Sequence, residues 1–140
     1  MSDKRSSKTP ASQDRGLEEN VASYVSAVIG ASQAVDQGNE SALRREEKAL
    51  KREKERLRER GTAGQRALIS LLRHPNPWVR LDAAAQCLAF DRDAAEKSLE
   101  QVSEDPGLAG LTAATTLKEW RAGRMKRPAW KDLSGGSPER

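Results

Sequence analysis

Two short patterns recur 29 residues apart in this chain. Asn76-Pro77 is echoed by Asp105-Pro106, and Ala84-Ala85-x-x-Leu88 is echoed by Ala113-Ala114-x-x-Leu117. A capping side chain followed by proline is a helix start signal, because proline suits the first helical turn. Start signals and packing positions that shift together mark one helix-hairpin unit used twice. The paired alanines suit that unit: small side chains let neighbouring helices approach closely, while the leucine fills the groove between them.

Composition points the same way. The apolar set is dominated by 20 Ala and 14 Leu, with only eight Val and Ile together and five aromatic residues. Alanine and leucine are the strongest helix formers, whereas strands draw on β-branched and aromatic side chains. No period-2 run of Val, Ile, Tyr or Phe occurs, so the expected fold class is all-α. No apolar run approaches the roughly 20 residues that cross a bilayer. The opening Met1-Ser2-Asp3-Lys4-Arg5 is not followed by an apolar stretch. The expectation is a cytoplasmic chain with no membrane contact. One cysteine, Cys87, excludes an internal disulfide framework and a cysteine zinc site; one histidine, His74, argues against a histidine metal cluster. No metal and no cofactor is expected.

Punctuation along the chain sets expected boundaries. Residues 1–13 and 134–140 are polar, rich in Ser, Thr, Gly and Pro, and read as disordered tails. Residues 14–133 read as a single helical domain. Its parts are N-terminal helices in 14–61, two hairpins in 62–123 and a capping segment in 124–133. A first helix over about 15–37 places Leu17, Val21, Tyr24, Val25, Val28, Ile29 and Val35 on one stripe. Gly38 stops it and Asn39 can cap the next. That second helix, about 40–60, carries Leu43, Leu50 and Leu57 seven apart, a narrow seam whose intervening seam positions are charged. Its second half, with one leucine to pack, is expected to project or stay partly exposed. A third helix opens at Thr62-x-x-Gln65, and His74-Pro75-Asn76-Pro77 breaks it. Helices over 77–90, from near Asp93 with Glu96 completing a capping box, and from Asp105-Pro106 to about Ala122 follow. Trp130 and Leu133 are expected to fold back over the open end of the stack.

The chemistry-bearing residues are sparse. There is no Gly-rich phosphate loop, no His-Glu-x-x-His and no serine elbow. His74 lacks an evident orienting carboxylate, and Cys87 sits mid-helix with no activating base. The chain does not read as an enzyme. Arg44, Lys48, Arg52, Arg56 and Arg60 form a basic ridge four residues apart on the second helix. It reads as a solvated face, as a phosphate contact, or as a surface for an acidic protein. Aromatic and arginine side chains dominate protein interfaces. On that ground Trp78, Asp82 and Gln86, the polar stripe of the fourth helix, together with Trp120, Arg121 and Arg124, are the candidate partner-binding residues. Trp120 also reads as a core plug closing the last hairpin, and Trp78 as either a core or an interface residue.

The segment Ala67 to Leu88, with its leucine-rich first helix, Asn76-Pro77 turn, Val79-Arg80 pair and Ala84-Ala85-x-x-Leu88, resembles a HEAT-type repeat. The second unit keeps only the cap, the alanines and the leucine. The resemblance implies a short right-handed α-solenoid of HEAT-like hairpins behind an N-terminal helical pair. It also implies that Arg80 supports the stack between repeats. Residues 47–123 are similar to a small bacterial family of uncharacterised HEAT-like proteins that includes proposed immunity proteins. The function implied is a non-catalytic protein-binding module, most concretely an immunity protein that occludes the active surface of a toxin domain. With a net charge of +4, the toxin surface would be acidic or neutral. The alternative is nucleic-acid binding through helix 40–60 and the basic C-terminal tail.

Overall fold

The computed structural model describes residues 8–126, 128 and 130. Among the described residues there are six α-helices and one 3-10 turn, and no strand. The all-α expectation therefore holds. The chain divides into two compact units, Met1–Gly64 and Gln65–Arg140.

The first unit is a hairpin of α1 (Lys8–Gln37) and α2 (Glu40–Glu59). α1 starts at Lys8, earlier than the expected residue 15, so part of the segment read as a tail is helical. The rest of that tail, 1–7, and the tail 134–140 lie outside the described residues. Gly38 ends α1, and the Asn39 side chain then accepts from the Ala42 backbone N–H at 3.0 Å, the expected N-cap. Tyr24, Ala27, Val28 and Ala34 of α1 and Leu57 of α2 form the buried core. Val35, expected in that core, is 50% exposed. It lies in the last turn of α1, where the chain bends into the polar Glu40-Ser41 that open α2.

α2 packs along α1 instead of projecting. Leu57 is fully buried, and Leu43 and Leu50 are half-buried. The seam is completed by a charged residue. Glu53, between Leu50 and Leu57, is only 4% exposed. Its carboxylate accepts from Asn20 Nδ2 at 3.0 Å, and its backbone carbonyl accepts from the same amide at 3.1 Å. Arg56 donates to the Glu53 carboxylate at 3.1 Å. Arg60 Nε donates to Asn20 Oδ1 at 2.9 Å. A buried carboxylate is tolerated only with such partners, so the network lets a charged position act as a seam residue.

α3 (Thr62–Ser70) carries the chain across the boundary between the units, and a 3-10 turn (Leu71–Arg73) ends it. The second unit then contains α4 (Pro77–Cys87), α5 (Arg92–Val102) and α6 (Leu108–Arg121). α4 starts as expected: Asn76 Oδ1 accepts from Trp78 N at 2.8 Å and Val79 N at 3.3 Å, with Pro77 at the first position. α5 is capped by Asp91, not Asp93; Asp91 Oδ1 accepts from Ala94 N at 3.3 Å. α6 starts two residues after Pro106, capped by Gly107 without a side-chain bond.

α4 packs against both α5 and α6, and α5 packs against α6. Val79, Leu81, Ala84, Leu88, Leu99, Val102, Ala113 and Leu117 are buried in this unit. Ala84 and Ala113, the first alanines of the two matched pairs, are 0% exposed. Two helix starts share a Gly-x-Ala-Gly sequence, residues 61–64 and 107–110. A Cβ on Gly64 would fall inside the Leu57 carbonyl oxygen, and one on Gly110 inside the Asp105 carbonyl oxygen. In each case the incoming turn lies directly on the new helix, which leaves no room for a side chain.

Arg80, expected to brace one repeat against the next, binds its own turn. Its guanidinium donates to the carbonyls of His74 at 2.9 Å and Pro75 at 3.1 Å. The turn ahead of α4 exposes carbonyls within one side-chain length, so the nearest acceptors capture the cation.

Candidate functional site

A set of partly exposed polar and aromatic groups lies where the end of α6 meets α5. Glu96 and Glu100 stand one turn apart on α5, on the face that meets α6. Trp120 Nε1 donates to Glu96 Oε2 at 2.9 Å. Arg121 donates to Glu100 Oε2 at 2.6 Å and makes a longer 3.5 Å contact with Glu96 Oε1. Arg124 forms a two-point pair with Glu119, through Nε at 2.8 Å and a terminal nitrogen at 3.0 Å. The Arg121 side chain is still 50% exposed and that of Arg124 56%.

The electrostatics follow from these bonds. The hydrogen bond to Glu100 raises the pKa of Arg121, and the bond to Glu119 raises that of Arg124. The hydrogen bond from Arg124 in turn holds the Glu119 carboxyl below its ordinary value. Three of the six residues expected to bind a partner are thus brought together at one end of the second unit. Their carboxylate clamps were missed in the sequence. The available signal was Glu96 and Glu100 at i,i+4 on a helix adjoining that of Trp120.

The other three lie on α4. Gln86 is corrected: it is 7% exposed and cannot meet a partner. α4 is covered on more than one side, so the stripe read as polar turns inward at its C-terminal end. Gln86 Oε1 is buried there without a hydrogen-bond partner. Trp78 and Asp82 are half-buried. Trp130 folds back onto Phe90, ring centroids 4.9 Å apart at 65°, in the turn between α4 and α5. Leu133 lies outside the described residues.

The basic ridge of α2 is largely engaged within its own hairpin. Arg52 reaches Glu53 at 3.8 Å, Arg56 at 3.1 Å, and Arg60 binds Asn20. Arg44 and Lys48 are exposed. A cleft of about 360 Å³ in the same hairpin is lined by Ser23, Ser26, Glu46, Ala49, Arg52 and Glu53 among others. Its two carboxylates oppose occupation by phosphate.

Neither residue weighed for catalysis stands in a reactive setting. His74 Nδ1 accepts from the Asn76 backbone N–H at 3.0 Å, which ties the imidazole to the turn. Cys87 is fully buried, and burial, with a smaller contribution from Asp91, pushes its thiol up to about 12. A thiol held protonated is a poor nucleophile. Among the described residues no group of His, Cys, Asp and Glu could hold a metal ion, and no helix is long and apolar enough to cross a membrane.

Comparison with known proteins adds a family and a fold. A family described as a domain of unknown function, DUF2019, matches residues 18–118. The crystal structure of the protein RPA1889 from Rhodopseudomonas palustris CGA009 is similar, with a TM-score of 0.71 and 24% identity. The match covers 79% of this chain and 92% of that one. At that identity the likeness concerns the fold alone. No curated protein matches the chain.

Proposed function

We propose that this chain, which belongs to the DUF2019 family, is a non-catalytic protein-binding module whose contact patch is Trp120, Arg121 and Arg124. The observation that carries this reading is the clamping of an adjacent tryptophan and arginine by Glu96 and Glu100, with half of the arginine left facing solvent. A side chain ordered before binding loses less entropy on contact, and tryptophan and arginine are enriched among the residues that dominate interface energy. Within this reading, helices 62–123 act as HEAT-like hairpins of a short α-solenoid that carries the patch. The partner is a toxin domain with an acidic or neutral surface, which the chain occludes in the cytoplasm as an immunity protein. Trp78 and Asp82 lie outside the proposed patch.

Nucleic-acid binding is the weaker reading. Arg52 and Arg56 pair with Glu53 while staying more than half exposed, and Arg60 binds Asn20, so three of the five cations on α2 share their charge with partners in the hairpin. Phosphate affinity scales with the number of cations free to displace counterions.

The test is capture from the native host by the wild-type chain and by Arg121→Glu. The captured protein is identified, purified and titrated against both forms. One protein lost by Arg121→Glu, and whose growth inhibition the wild-type chain relieves on co-expression, supports the immunity reading. Equal binding by both forms refutes the patch. Recovery of nucleic acid alone, with affinity falling steeply with salt, refutes the reading altogether.

A further inference from the structure

α6 is apolar on the side that faces water. Projected at about 100° per residue, its outward arc is centred on Leu111 and flanked by Leu108, Ala114, Thr115, Lys118 and Ala122. Leu108 is 51% exposed and Leu111 64%, while Ala109, Ala113 and Leu117 on the opposite arc are buried. Trp120 points about 180° from Leu111, whereas Arg121, about 80° away, borders this arc. A helix apolar on both sides is ordinarily covered on both.

On the arc itself the one charged residue is Lys118, and the turn before it is acidic. Its N-terminal end follows the acidic turn Glu104-Asp105, whose Asp105 carbonyl is seated on Gly110. Its C-terminal end carries Lys118, exposed on the arc, while the nearby Arg121 and Arg124 are already paired with Glu100 and Glu119. A helix acidic before its start and basic at its end is self-complementary when turned end for end. We propose that the outer arc of α6 seats α6 of a second copy of this chain, antiparallel, about a two-fold axis passing near Leu111.

The register follows from helix geometry. Leu111 meets Leu111 of the second copy, and Leu108 meets Ala114 of the second copy. Lys118, about 10 Å along the axis from Leu111, reaches the acidic turn that contains Glu104 of the second copy. Ala114 and Thr115 are small enough to let the helices approach to about 8–10 Å. The interface is isologous, as a two-fold pairing requires.

The test is sedimentation of the full chain over a concentration series. The wild-type chain is expected to dimerise. Leu111→Glu places like charges on the axis and is expected to weaken dimerisation by more than about tenfold, with an unchanged circular dichroism spectrum. Lys118→Glu is expected to weaken it by about threefold to tenfold, as two rim ion pairs would. The double variant Glu104→Lys/Lys118→Glu is expected to recover most of that loss. A wild-type chain monomeric throughout, or a dimer indifferent to Leu111→Glu, overturns the proposal. A charge reversal that fails to rescue overturns the antiparallel register.

Discussion

Replacing Glu53 with alanine removes the carboxylate that closes the α1–α2 hairpin. One hydrogen of the Asn20 amide would keep its bond to the Glu53 backbone carbonyl, and the other would lose its acceptor inside the protein. An unsatisfied buried donor costs about 1–3 kcal/mol. The Arg56 pair adds little, about 0.5 kcal/mol, because that side chain is 55% exposed and screened by solvent. Better helix propensity returns about 0.5 kcal/mol. The expected net loss is therefore about 2 kcal/mol. Glu53→Gln keeps an oxygen for Asn20 and should lose about 1 kcal/mol or less. Urea unfolding followed by far-ultraviolet circular dichroism reports the hairpin, since its helices are the two longest in the chain. The double-mutant cycle with Asn20→Ala should give a coupling of about 1 kcal/mol or more. If Glu53→Gln proves as damaging as Glu53→Ala, charge and not the amide bond is the operative feature. If neither variant moves the midpoint, the network contributes nothing to stability.

Two further outcomes follow from packing and burial. Gly110→Ala drives a methyl into the Asp105 carbonyl and should cost about 1–3 kcal/mol despite alanine's helix propensity; thermal melting checks this. Cys87 should resist iodoacetamide in the native state and react once urea unfolds the chain. Its raised thiol pKa also has a sign in stability. Below pH 9 both states keep the proton, and between 9 and about 12 only the unfolded state releases it. Stability should therefore fall through that window by up to about 1.4 kcal/mol per pH unit. The difference between wild type and Cys87→Ala, measured against pH, isolates the slope, and parallel curves would refute it.

Local punctuation was legible where one residue suffices. Asn39 and Asn76 cap the helices they precede, and Pro77 takes the first helical position. The Asp105-Pro106 echo looked equivalent and was not. α6 starts only after Gly107, because the Asp105 carbonyl rests on Gly110 and sets the turn. A cap depends on the chain path that enters it, and that path is a packing property. The paired alanines were read as close-approach positions; Ala84 and Ala113 are fully buried, but Ala85 is half-buried and Ala114 faces solvent. Similar reasoning failed for Arg80, where acceptors in its own turn were nearer than any in another hairpin.

The polar residues were harder to place, for a reason of register. Glu53 meets Asn20 across 33 residues and Trp120 meets Glu96 across 24. Periodicity within one helix assigns a face, but only the offset between two helices decides which charged residue finds an amide and which meets water. α4 and α6 each carry apolar residues on more than one side. On such helices exposure is set by the neighbours. α4 is contacted by the 3-10 turn, α5 and α6, so its Gln86 is buried with an unmet acceptor. α6 is packed along one arc, so its Leu111 is left in solvent. Burial of the amide and exposure of the leucine thus have one origin, the number of helices around each, and neither could be assigned before the hairpins were assembled.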